Sequence, residues 1–196
     1  MKVFLSILVI FSSLSLFAKA ELFDYDVWAK DLETMIELSS KSTDTVKGSD
    51  KNNNQVRDDV ENYIKNKYAD DEFQKIMFLE AARKIQQIIT LPKNSSKKLH
   101  KKLDEQLLQI YTCRDFILFK HQDIDLEKEI EDKSEFKAKV LNTSKRLNAY
   151  IRHKRIVPFK YMIPSDEELK KQKIACEKLY SKIKSESKKS RILTAK

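Results

Sequence analysis

Asp50, Asn52, Asn54, Asp58 and Glu61 occupy the first, third, fifth, ninth and twelfth places of one twelve-residue stretch. That spacing wraps a chain around a hard divalent cation: five side-chain oxygens converge, and the main-chain carbonyl of Val56 at the seventh place completes the set. The expected ion is Ca²⁺, held in a single weak site of the extracellular-module class, with Kd about 10⁻⁴ to 10⁻³ M. Two positions depart from the pattern. Gln55 stands at the sixth place, where glycine normally takes a left-handed turn at a saving on the order of 1 kcal/mol. Arg57 stands at the eighth, where an aliphatic residue lets two such loops pair, and the chain has no second loop. The competing reading is an Asn-rich solvated loop in which Asp58 and Asp59 merely favour a helix N-terminus.

Few other residues promise chemistry. Cys113 and Cys176 both fall on apolar stripes, and in an exported chain a disulfide between them is the economical reading; two buried thiols are the alternative. A buried thiol has a raised pKa, which argues against a catalytic cysteine. No nucleophile elbow, zinc-protease helix or phosphate-cradling glycine loop is present, and His100, His121 and His153 lie at spacings that make no one-face metal pair. The acids between Leu126 and Glu135 are interleaved with lysines, as on a solvated helix face. Asn142, Arg146 and Tyr150, spaced four apart, form a polar ridge that either lines a partner groove or hydrogen-bonds a neighbouring helix or connector.

The elements that must position these residues are helices. One glycine and three prolines in 196 residues leave too few turn formers for a sheet, so the chain reads as all-α, an irregular bundle of about six helices. Residues 1–20 read as a signal peptide: Lys2, an apolar run from Val3 to Phe17, then Ala18-Lys19-Ala20. The run is shorter than the roughly 20 apolar residues of a spanning helix, and no transmembrane segment is expected after its removal. Residues 21–183 then form one helical domain and 184–196 a basic tail. Trp28, Leu32, Met35 and Ser39 predict a helix over 26–40; Val60 and Ile64 predict another over 57–68, opened by the loop. Asp70 is the expected cap of a central helix carrying Met77, Phe78, Ala81, Ala82, Ile85, Ile88 and Ile89, stopped by Leu91-Pro92. Ser95 or Ser96 caps the next, with Leu99, Leu103, Leu107, Ile110, Cys113 and Ile117 inward. Asp125 starts a long helix bearing Phe136, Val140, Thr143, Leu147 and Ile151. Ser165 with Glu168 forms a capping box for the last helix, which turns Leu169, Cys176, Leu179 and Ile183 inward.

The string Asn52 to Glu61 resembles the D-x-N-x-N-G-V-R-D-D-V-E loop of small exported bacterial proteins, related in ligand spacing to EF-hand and dockerin-type loops. Asn142 to Arg146 with Tyr150 resembles a helix segment of such proteins. The resemblance implies Asp50, Asn52, Asn54, Val56, Asp58 and Glu61 as calcium ligands and a periplasmic or secreted destination, and transfers no activity. The net charge of +9 is concentrated at the end, where Lys182–Lys196 holds five Lys, one Arg and one Glu. A solvated charge run explains it; contact with an anionic envelope component is the functional alternative, and nucleic acid is not expected. The resulting expectation is an exported, calcium-stabilised, disulfide-linked helical protein that binds a partner protein or anionic component of the cell envelope. The alternative is a periplasmic or secreted hydrolase acting on an envelope polymer.

Overall fold

The computed structural model describes residues 45–121, 126–158 and 164–194. The signal peptide, the helix expected over 26–40 and the Asp125 start lie outside the described residues. Within them the fold is all-α, with six helices and no strand. They are α1 (Asp58–Lys67), α2 (Glu72–Ile89), α3 (Lys97–His121), α4 (Leu126–Val140), α5 (Ser144–Ile156) and α6 (Asp166–Thr194).

Helix α2 is central because its apolar face is wide: Phe78, Ala81, Ala82, Ile85, Ile88 and Ile89 are all buried, and the helix packs against every other one. Its cap is Asp71, one residue later than expected. The Tyr68 N–H closes α1 on the Ile64 carbonyl, and the Asp71 N–H bonds the Tyr68 carbonyl. That turn leaves Asp70 exposed and hands the cap to Asp71, whose carboxylate accepts from Gln74 N at 3.0 Å. Ser96, not Ser95, caps α3, its hydroxyl accepting from Leu99 N at 3.3 Å.

The single long helix expected from Asp125 is two. Helix α4 ends at Val140, and Thr143 starts α5 with its hydroxyl accepting from Arg146 N at 3.3 Å. The apolar stripe runs through the break, with Phe136, Val140, Leu141 and Leu147 all buried, so periodicity gave no sign of it. The break is held from outside by Arg57, whose guanidinium donates to the Val140 carbonyl at 2.7 Å and the Lys139 carbonyl at 3.1 Å. These α4 C-terminal carbonyls thereby gain partners.

A second, smaller core surrounds the disulfide between Cys113 on α3 and Cys176 on α6, whose Cα atoms are 5.4 Å apart. Phe73, Met77, Ile117 and Ile183 pack around it, and the Tyr180 ring meets Phe73 edge-on at 5.2 Å. Ser165 and Glu168 form the expected capping box, Glu168 accepting from Ser165 N at 2.8 Å. Leu99 and Leu179, expected inward, are each 39 % exposed. Helix α6 runs on to Thr194, so most of the basic tail continues the helix. No helix among the described residues is long and apolar enough to cross a membrane.

Candidate metal centre

The chain from Thr45 to Arg57 lies across the ends of four helices and is held by hydrogen bonds to its main chain. Arg146 on α5, fully buried, donates to the Thr45 carbonyl at 2.8 Å and the Val46 carbonyl at 3.2 Å. Gln86 on α2 donates to the Lys47 carbonyl at 2.8 Å, and Arg83 to the Asn54 carbonyl at 3.0 Å. Asn142 Oδ1 accepts from Arg57 at 3.1 Å and from Arg146 at 2.6 Å, so one amide joins the two guanidiniums. Asn142 and Arg146 of the polar ridge are therefore spent on the connector, and Tyr150 is buried in the main core.

Gly48, the sole glycine, sits where these arginines pass. Its φ is +68°, and a Cβ there would fall on Arg57 Cδ and lie 3.0 Å from Arg146 Nη2. Both the backbone conformation and the close approach demand glycine.

The loop proper turns as the ligand spacing requires. Gln55 has φ +69° and Asn53 φ +55°, so the left-handed turn at the sixth position is present without glycine. The Asp50 carboxylate accepts from the N–H of Asn54 at 3.1 Å and of Gln55 at 2.9 Å, closing that turn. Asn52 Oδ1 accepts from Asn54 N, and Asn54 Oδ1 from Val56 N at 2.8 Å. Val56 buries its side chain in the core, which anchors the far side of the ring.

Asp58 and Glu61 reach the loop from the first turn of α1. Asp58 accepts from Ser49 Oγ at 2.6 Å and Lys51 N at 3.1 Å, and these two bonds hold its carboxyl below the usual carboxylate range. Glu61 accepts from Lys65 Nζ at 2.7 Å and Asn52 Nδ2 at 2.9 Å; the Lys65 ammonium is the main reason its pKa is lowered. Burial raises the pKa of Asp59, yet the Arg57 guanidinium at 2.9 Å brings it below the ordinary value.

The arrangement thus brings Asn52 and Glu61 into contact across the ring and folds Asp50, Asn54 and Val56 into one turn. It turns each carboxylate toward its own donors, and among the described residues no three of His, Cys, Asp and Glu form a ready-made metal cluster. A cation already occupies the twelfth position in the form of the Lys65 ammonium. The donor set fits a hard ion, since every predicted ligand atom is oxygen.

Sequence reasoning missed Arg57 as an inward residue. The available signal was its place between Val56 and Val60, beside the sole glycine. An open cleft of about 640 Å³ between α1 and α4 is lined by Asp59, Asn62, Tyr63, Lys67, Glu135 and Lys139 among others. Its acids are paired, Asp59 with Arg57 and Glu135 with Lys67. No family model, curated protein or solved structure matches the chain.

Proposed function

We propose that this chain is an exported helical binding protein of the bacterial cell envelope, stabilised by one Ca²⁺ held in the 50–61 loop. The observation that carries the metal reading is the left-handed backbone of Gln55. A non-glycine residue is kept in a strained conformation at the one position where a calcium loop must turn sharply. Asp50, Asn52, Asn54 and Asp58 would supply side-chain oxygens, Val56 its carbonyl and Glu61 its carboxylate. The ion would supply charge neutralisation and cross-linking, with no reaction to catalyse.

Binding exchanges one set of partners for another. Lys65 must leave Glu61, and the Asn52 amide must turn its oxygen inward, which accounts for a weak site. The leader-like first twenty residues support export, and the disulfide suits an oxidising compartment. A role in binding a partner is supported by the architecture: a small, cross-linked helical body with a basic last helix, and a cleft whose acids are each paired with a cation.

Thermal unfolding of the oxidised chain in millimolar Ca²⁺ and in chelator tests the metal. At a concentration ten times Kd, bound ion stabilises by about 1.4 kcal/mol, which raises Tm by about 3–5 °C. The rise should vanish in Asp50→Ala and Glu61→Ala. Superimposable wild-type curves with and without Ca²⁺ would remove the ion from the proposal.

A further inference from the structure

His100 and His153 are 53 residues apart in sequence but meet between α3 and α5. Their rings lie 5.0 Å apart, and His100 Nδ1 is 2.7 Å from His153 Nδ1. On its other side His153 Nε2 lies 3.0 Å from Asp104 Oδ1. Lys154 Nζ holds both oxygens of Asp104, at 2.6 and 2.9 Å. His100, Asp104 and His153 are all buried.

The positions of the hydrogens follow. Burial raises the pKa of Asp104, but His153 and Lys154 outweigh it and keep the carboxyl below its ordinary value. An ionised carboxylate only accepts, so His153 carries a hydrogen on Nε2, and in the neutral ring that leaves Nδ1 bare. His100 must then donate from Nδ1. That leaves His100 Nε2 as a bare lone pair, shielded from water and without a hydrogen-bond partner.

Such a chain takes a further proton only at a cost, because the added hydrogen ends without an acceptor. A proton on His100 Nε2 creates a buried imidazolium whose new N–H has no acceptor. A proton on His153 Nδ1 either sets two N–H groups head-on across 2.7 Å or moves the His100 hydrogen to Nε2, where again no acceptor meets it. We propose that the His100–His153 contact is an acid-released latch, closed while both imidazoles are neutral and opened by protonation so that α5 parts from α3.

The surroundings reinforce the effect. Helix α5 brings Arg152 and Lys154 to the cluster, and α3 brings Asp104. Helix α4 places Lys137 near Lys154; burial, Lys154 and Lys133 push Lys137 down to about 8. The buried face of α2 has no titratable group, being apolar apart from Gln86. Helix α6 joins α3 at Cys113, about 20 Å further along the helix axis. New positive charge therefore enters a site with an excess of cations. Burial, then His153 and Arg152, push His100 below the usual imidazole value.

A base whose pKa is depressed by folding binds its proton more readily in the unfolded chain. Stability is therefore full above about pH 6.5 and is lost as pH falls from there toward the folded value. Carboxylates with lowered pKa act in a more acid window, below about pH 4.5, so the two effects separate. Arg146 lies on the same helix as His153 and holds the Thr45 and Val46 carbonyls, so release of α5 reaches the loop as well.

The test is an NMR titration of the imidazole rings of the full, oxidised chain in chelator from pH 7.5 to 5.0, paired with thermal unfolding over the same range. We expect His100 to titrate below about 6.5 and the ¹⁵N shifts of His153 to report the Nε2–H tautomer at neutral pH. The folding equilibrium constant should fall by up to about tenfold per pH unit below that value. His100→Asn keeps a donor toward His153 Nδ1 but has no basic nitrogen, and should flatten the dependence. Titration of His100 at or above 6.5, an Nδ1–H tautomer of His153, or an unchanged slope in His100→Asn would each overturn the latch. If His100→Asn does not fold, the wild-type ring titration decides alone.

Discussion

Three residues explain most of the connector's conformation. Gly48 leaves room for Arg57, Arg57 caps the end of α4, and Arg146 holds the connector's carbonyls. Gly48→Ala combines overpacking with a left-handed alanine, and should cost about 2–4 kcal/mol by urea unfolding. Arg57→Met strips the Lys139 and Val140 carbonyls of their donor, a loss of about 3 kcal/mol. Arg57→Lys should recover little of it, because an ammonium cannot bridge Asp59, Asn142 and two carbonyls in one plane. Lys65→Ala should tighten Ca²⁺ several-fold in a calorimetric titration, by removing the cation that competes for Glu61. Affinity equal to wild type would mean that Glu61 is not a ligand.

At the scale of elements, α2 and most of the inner stripe of α3 (Leu103, Leu107, Cys113 and Ile117) were legible because their apolar residues recur at helical spacing and are buried. The Ser165 box and the pairing of Cys113 with Cys176 were legible for the same reason: each is a local or two-residue pattern. The division of α4 from α5 was not. Its cause is Arg57, more than eighty residues away, and a distant guanidinium leaves no mark on the local period. The meeting of His100 with His153 was not legible either, since spacing along one helix says nothing about two histidines on different ones. Thr143→Ala removes the α5 cap and should cost about 1 kcal/mol, with faster amide exchange confined to the first turn of α5. Replacing both cysteines by alanine should cost about 4 kcal/mol, given the sequence separation of 63 between them.

For the molecule as a whole, acid should act in two stages. The first belongs to the imidazole pair. The second belongs to Asp59, Glu61 and Asp104, whose folded pKa values are lowered. Their stabilisation is present above the unfolded carboxylate values and is lost as pH falls through the folded ones, below about pH 4. A circular-dichroism acid titration should therefore show its larger change there. The connector has one further consequence. Segments outside helices usually accept inserted sequence readily. This one is anchored to α2 by Gln86 and Arg83, to α4 by Arg57 and to α5 by Arg146. An epitope tag or a fused domain should therefore be tolerated poorly between residues 45 and 57. The turn around Pro92 to Ser95, exposed at Pro92, Lys93 and Asn94 and closed by the Ser95 N–H on the Pro92 carbonyl, is the better place to splice in foreign chain.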